Sequence, residues 1–425
     1  MEESREKNEK NNLNKPKTLT FPSGFLWGAA TSSYQVEGNN SNTDWWEWEK
    51  QGKAKDESGM ACDYYNRFKT DHDFLTELGC NAYRMSIEWG RVETEEGIFS
   101  EEEFAHYREI LKDLKSRNIK TQVTLWWWVS PLWFSKKYGF HNKKSVEIFT
   151  RYVQKVVDEL GDLIDLYQVF NEPMVPLGQG YLGGVFPPGY KNPFKFFRAL
   201  KNVADSHKKA YLIIKEKYSS VPVGVSYLYN WYESENLGFL VAIINRLAKW
   251  YRVDLIDNKI KESLDFVAIQ YYRLGRIKFD WKNIKMDSKN QVYLGFTIEK
   301  NENNLMKWIT YPEGIYKVLV EVKKKHNLPI YITENGVPTD TGLDDKERIV
   351  FIQEHLKFVH KAISEGADVR GYNHWSLLDN FEWLYGYEPR FGLIEIDFKT
   401  LERKPRRSFY EYAKICQENA VEIKN

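Results

Sequence analysis

Leu166-Tyr167-Gln168-Val169-Phe170-Asn171-Glu172-Pro173 is a short β-branched and aromatic run that closes on an amide, a carboxylate and a proline. A carboxylate at the end of an apolar strand is unusual, because burying a charge without a partner is costly. Seven further runs of this kind lie on either side of it: Phe25–Thr31, Asn81–Ser86, Thr121–Leu125, Val223–Tyr227, Phe266–Gln270, Ile330–Glu334 and Arg370–Trp375. Long amphipathic segments separate them, with no Pro/Gly/Ser-rich linker. The clearest helix runs from Asp344 to Glu365, where Ile349, Ile352, Leu356, Val359 and Ile363 make one apolar stripe and Gly366 follows as a C-cap. Residues Phe279 to Lys307 show weak periodicity and are expected to be a long excursion after the sixth strand.

Eight strand-then-helix units without a linker predict an α/β fold, a single (β/α)8 TIM barrel over residues 19–425. The alternative is a doubly wound open sheet with insertions. The placement of the polar residues favours the barrel. Arg84, Asn171, Glu172, Gln270, Tyr272, Glu334 and Trp375 all fall at the C-terminal ends of the runs, which converge on one mouth in a parallel barrel. Residues 1–18 are charged and Asn-rich, without the apolar core of a signal peptide, and are expected to be a disordered tail.

Composition excludes several classes. Lys and Arg total 61 against 60 Asp and Glu, a net charge of +1, so neither nucleic acid nor a membrane surface is indicated. No apolar run is long enough to span a bilayer. Cys62, Cys80 and Cys416 form neither a CxxC pair nor a disulfide framework, which suits a reducing, cytoplasmic setting. The eight histidines show no metal-ligand spacing and no phosphate-cradling loop follows a strand, so no cofactor and no metal is expected. His72, His207 and His374 read as structural, though His374 beside Trp375 could approach the mouth. Fifteen Trp, 27 Tyr and 24 Phe could floor sugar rings or simply fill a core.

A second strand-end carboxylate, in Ile332-Thr333-Glu334-Asn335-Gly336, turns an oddity into a pair. Two carboxyl groups facing one cavity suit glycoside hydrolysis, one protonating the leaving oxygen and the other attacking the anomeric carbon. The plainer reading is that each Glu pairs with an Arg at the barrel rim.

With these motifs the chain resembles glycoside hydrolase family 1 from about Phe21 to about Tyr412. Phe21-Pro22-Ser23-Gly24-Phe25-Leu26-Trp27-Gly28 through Tyr34-Gln35-Val36-Glu37-Gly38 resembles the N-terminal signature, and Tyr83 to Trp89 the second-strand motif. Asn171-Glu172-Pro173 and Thr333-Glu334-Asn335-Gly336 resemble the acid/base and nucleophile motifs. Trp375 to Trp383, with Gly386-Tyr387 and Arg390-Phe391-Gly392, resembles the sugar-binding segment. The resemblance implies a retaining β-glycosidase acting on a small-molecule glycoside, with Glu172 as acid/base and Glu334 as nucleophile. Arg84 and Tyr272 would keep Glu334 ionised, and Asn171 would bind the sugar 2-hydroxyl. Gln35, Trp127, Trp128, Glu382, Trp383 and Phe391 would line the sugar site, with Trp375 as its floor. Glu382 would repel a 6-phosphate, so unphosphorylated glucosides, galactosides or fucosides are implied. A transglycosylase sharing the intermediate, or a non-catalytic sugar-binding barrel, is the alternative; assembly into a homo-oligomer is left open.

Three positions depart from the pattern. Trp127 stands where the family normally has a histidine, Gln270 where it usually has Asn, and Val169 where it often has Thr. Trp127 fits either a weaker grip on the same sugar or a pocket remodelled for a different one. Trp126 and Trp133 could form an apolar acceptor platform, although barrel packing accounts for them equally well.

Overall fold

In the computed structural model, described for residues 17–234, 236–286, 292–298 and 306–423, all eight runs are strands. They are β1 (Leu26–Ala30), β2 (Ala82–Ser86), β3 (Lys120–Trp126), β4 (Leu166–Asn171), β5 (Val223–Glu233), β6 (Val267–Met286), β7 (Ile330–Asn335) and β8 (Val369–Trp375). Each pairs in parallel with its chain neighbours, and β8 returns to β1, so the sheet closes into an eight-stranded barrel. The fold is a (β/α)8 barrel, not an open sheet. Closure leaves no strand edge and brings all eight C-terminal ends to one rim.

Helices cover the outside through the faces their sequence periodicity makes apolar. Ser145–Leu160 buries Ile148, Phe149, Tyr152, Val153, Val156, Val157 and Leu160, at steps of three and four. Each such large side chain taken from water contributes about 1.5–3 kcal/mol. Its neighbour Pro193–Lys217 starts with proline in the first turn, where a missing N–H costs nothing, and Asn192 accepts from Lys195 N at 3.0 Å as the cap. Helix Lys346–Ser364 buries Ile352, Leu356 and Val359 as expected, but Ile349 and Ile363 only partly; Arg348, Phe351 and His355 take the inner positions. The helix ends at Gly366, with φ +87°.

Three departures concern the edges. Lys17 and Thr18, expected in the tail, belong to a strand Lys17–Thr20 that pairs antiparallel with Ala420–Ile423, because that C-terminal strand supplies ladder bonds and Leu19 is buried against the core. The rest of the tail lies outside the described residues. Strands β5 and β6 run past the barrel rim, remaining paired as far as Glu233 and Arg276. The excursion after β6 therefore begins inside a strand: β6 continues to Met286 and Val292–Ile298 pairs back on it, while 287–291 and 299–305 lie outside the described residues. All three cysteines are buried and free.

Candidate active site

Irregularities in the ladder aim the two glutamates. The register of β7 slips between Ile332 and Glu334 against β6, and that of β4 slips between Gln168 and Asn171 against β5. Such bulges re-aim side chains at a barrel rim. Glu172 lies just beyond β4 with φ +42°, a conformation that turns the chain sharply into Pro173. Gly336, after Glu334, allows β7 to pass close to β8, since a Cβ there would lie 1.9 Å from the Trp375 carbonyl oxygen.

Glu172 and Glu334 line one cavity of about 800 Å³ at the C-terminal mouth, together with Gln35, Trp127, Trp128, Asn171, Tyr272, Trp375, Glu382, Trp383 and Phe391. Of the expected site residues only Arg84 is not on this wall; it sits fully buried behind it, holding the others. Arg84 Nη1 donates to Glu334 Oε1, and its Nη2 donates to Asn171 Oδ1 at 2.5 Å and Ser226 Oγ at 3.2 Å. Tyr272 OH donates to the other oxygen of Glu334. Gln270 Nε2 reaches both Glu334 Oε1 and, at 2.8 Å, Asn171 Oδ1. With its oxygen accepting twice, Asn171 keeps its NH₂ as an unused donor among the described residues.

Trp127 is the most informative departure. Its ring lies 3.9 Å under the Arg84 guanidinium carbon and stacks on Trp375 at 5.6 Å and 29°. An indole therefore caps the buried cation, an attraction that grows as water is removed. Its N–H has no protein partner among the described residues. Val169 is buried in the core away from the mouth.

Electrostatics separate the two carboxyls. Burial raises Glu172 far above the ordinary carboxylate range, and the Glu334 charge raises it further; Arg252 and Arg84 pull back only in part. No protein side chain among the described residues donates to it. Burial raises Glu334 as well, but Arg84, Tyr272 and Gln270 all oppose this, so it ionises before Glu172. Glu382 is pushed up to about 8 by burial and by Glu334, against a 3.5 Å hydrogen bond from Gln35. Of the three carboxyls Glu334 alone has a guanidinium bonded to it, and burial favours the protonated forms of Glu172 and Glu382.

The segment after β8 is fixed from behind. Arg406 grips Asp379 with Nη1 at 3.0 Å and Nη2 at 2.7 Å, while Asp379 Oδ1 accepts from Gly392 N at 2.9 Å. Gln35 donates to Asn380 Oδ1 and the Phe381 carbonyl, both at 2.9 Å. Trp383 stacks on Tyr34 at 5.8 Å and 5° and packs against Trp45 and Trp128. Trp128 Nε1 donates to the Asn171 carbonyl at 3.1 Å.

Trp126 and Trp133 do not reach the cavity. Trp126 packs against Phe140 and Phe170, and Trp133 against Trp89, so they are core and not an acceptor platform. His374 is buried outside the cavity. Residues the sequence reading did not single out include Trp308, whose ring meets Tyr272 at 5.6 Å, and Arg252 and Arg273 on the outer wall. An aromatic next to the excursion was the only available signal, and for the arginines there was none. Among the described residues, no group of three or more His, Cys, Asp or Glu is arranged to hold a metal, and no helix is long and apolar enough to cross a membrane.

The model of glycosyl hydrolase family 1 matches residues 17–238 and 253–421. β-Glucosidase A of Thermotoga maritima is 32% identical over 95% of this chain and 99% of its own length. A β-galactosidase of Saccharolobus solfataricus is 30% identical over 95% and 96%. The solved β-glycosidase of Pyrococcus horikoshii superposes with a TM-score of 0.86 at 37% identity, over 96% of this chain and 97% of that one. Matched along nearly its whole length, and with its paired glutamates at the mouth of the barrel, the chain belongs to glycosyl hydrolase family 1 and is a β-glycosidase.

Proposed function

We propose that Glu334 is the nucleophile and Glu172 the acid/base of a double displacement on terminal, unphosphorylated β-glycosides. The observation that carries this is the asymmetry between the two carboxyls. Glu334 is held by a guanidinium, a phenol and an amide, while Glu172 has no side-chain donor among the described residues and feels the Glu334 charge.

In the first step ionised Glu334 attacks the anomeric carbon as Glu172 gives its proton to the leaving oxygen, forming a glycosyl ester and a free alcohol. Esterification removes the Glu334 charge, which was one cause of the raised Glu172 pKa. Glu172, now a carboxylate, takes a proton from water as the water oxygen attacks the anomeric carbon. The ester bond breaks and both groups return to their starting states. Asn171 is placed to bind the 2-hydroxyl, where contacts strengthen as positive charge develops on the ring. Trp375 floors the ring; Gln35, Glu382 and Trp383 hold the outer hydroxyls.

Glu382, protonated through much of the neutral range, can both donate to and accept from a neutral sugar hydroxyl, whereas a 6-phosphate there would bring a second anion within reach of the Glu334 charge that already acts on this position. Relatives bearing the names β-glucosidase and β-galactosidase make glucosides and galactosides the first substrates to try. The three buried, free cysteines suit a cytoplasmic enzyme. A panel of aryl β-glycosides, followed by proton NMR of the first sugar released, tests the whole assignment. A β-anomer as first product is expected; an α-anomer would rule out the double displacement.

A further inference from the structure

Every deeply buried arginine in this protein has a carboxylate: Arg84 has Glu334, Arg348 has Asp345, Arg403 has Asp71 and Arg406 has Asp379. Arg252 and Arg273 do not. Both are half-buried in the wall of the catalytic cavity, and neither has an acidic partner among the described residues. Arg273 meets only a ring, with its guanidinium carbon 5.1 Å from the centre of Trp308. Two like charges so placed repel, and burial together with Arg252 lowers the pKa of Arg273. A fold that tolerates this cost without a counter-ion leaves the site short of one anion.

Position says which part of the substrate would bring it. Arg252 acts on Glu172, the group that protonates the leaving oxygen, so it stands on the leaving-group side. The side chains assigned to the sugar, Gln35, Glu382 and Trp375, come from elsewhere on the rim: the helix after β1, the segment after β8 and the end of β8 itself. The family match breaks between 238 and 253, so Arg252 falls in a stretch that the common family pattern does not describe.

We propose that the outer half of the cavity is a subsite for an anionic leaving group, in which Arg252 and Arg273 hold a carboxylate, sulfate or phosphate carried by the aglycone. This rests on the assignment of Glu172 as acid/base. The fork of each guanidinium suits a planar or tetrahedral oxyanion.

The test compares cellobiose with cellobionate, which carries a carboxylate on the leaving residue, and with cellobiose phosphorylated on the same residue. Wild type, Arg252→Gln, Arg273→Gln and the double variant are each assayed for kcat/KM, with neutral aryl glucoside as reference. The expected result is an anion-to-neutral ratio that falls about tenfold or more in the double variant, and also falls with added salt. A drop for either anion supports the subsite and identifies which oxyanion it takes. An unchanged ratio for both overturns it, as does an Arg252→Gln effect that moves all substrates equally and only shifts the alkaline limb of the pH profile; Arg252 would then merely tune Glu172. If no substrate turns over, the glutamate assignment has failed. Tryptophan-fluorescence titration with cellobiose and cellobionate then decides the arginines separately, equal affinity counting against them.

Discussion

The inner and outer halves of the cavity are built on opposite principles. At the inner end β2, β4, β6 and β7 deliver Arg84, Asn171, Gln270, Tyr272 and Glu334 at the barrel rim, and each polar atom facing Glu334 is already bonded. At the outer end β5 and β6 run past the rim, and the wall carries half-buried arginines and loosely placed aromatics. One end is over-determined before substrate arrives, as charge stabilisation in a transition state requires. The other is left incomplete, as expected where a variable partner is to complete it. Reaction chemistry should therefore break sharply when the inner end is touched, and specificity should shift when the outer end is.

The largest effect belongs to Glu334→Gln. It removes the nucleophile while keeping the shape and the Arg84 contact, so kcat should fall by roughly 10⁴-fold or more with substrate still bound. Equal slow turnover by wild type and variant would mean that the inner end does no chemistry. The loss of a charge has a second readout: the remaining carboxyl, Glu172, should titrate lower in the variant, because Glu334 no longer repels its ionised form.

Glu172→Gln sharpens the division of labour between the two. General acid help is worth about 10²–10⁴-fold. Alkyl and sugar leaving groups should lose that much, whereas 2,4-dinitrophenyl glycosides, whose phenolate leaves unaided, should still form the glycosyl-enzyme and stall there. A uniform loss across leaving groups would contradict the acid role.

That both glutamates face one cavity was legible in the sequence because they sit in contiguous motifs at strand ends, where period and punctuation mark the position. All eight strands were legible for the same reason. What lay beyond was three-dimensional bookkeeping of charge. The inner face of helix Lys346–Ser364 differs from its apolar stripe because Arg348, whose two terminal nitrogens donate to Asp345 and to the carbonyls of Arg390 and Gly392, can be buried where periodicity reserves a place for Ile. The strands β5 and β6 were cut short at the end of their apolar runs, since aromatic and polar residues from Leu228 onward continue the pairing without continuing the pattern. Arg252 and Arg273 were invisible for the converse reason. What distinguishes them is a missing partner, and no local pattern records that.

Trp127→His asks whether the inner end depends on the indole or only tolerates it. Restoring a histidine would return a compact donor but strip the aromatic face from Arg84 and the stacking from Trp375. A desolvated cation–π contact is worth about 2 kcal/mol. Since Arg84 holds both Glu334 and Asn171, kcat/KM on an aryl glucoside should drop about tenfold, together with a lower melting temperature. A rise in activity would mean the indole only weakens the grip on the same sugar.

The smallest effect concerns Glu382 and appears only when pH is varied. Its folded-state pKa, about 8, lies above the ordinary 4.5, so the folded protein holds this proton more tightly than the unfolded chain does. Below pH 4.5 both states are protonated and nothing is lost. As pH rises from there to 8 the unfolded chain gains from releasing the proton and the folded protein does not, so this group lowers stability progressively; above 8 the cost is complete. Glutamine at 382 keeps the shape and the Gln35 contact but cannot ionise. The melting temperature of Glu382→Gln should therefore exceed that of wild type by a margin that widens between pH 5 and pH 8. Groups not coupled to Glu382, such as buried Glu88, also near 8, are common to both proteins and cancel in the difference. Glu382 keeps some contact with cavity water, which limits the margin. A gap that stays constant or narrows would show that Glu382 is already ionised at neutral pH, a second negative charge beside Glu334.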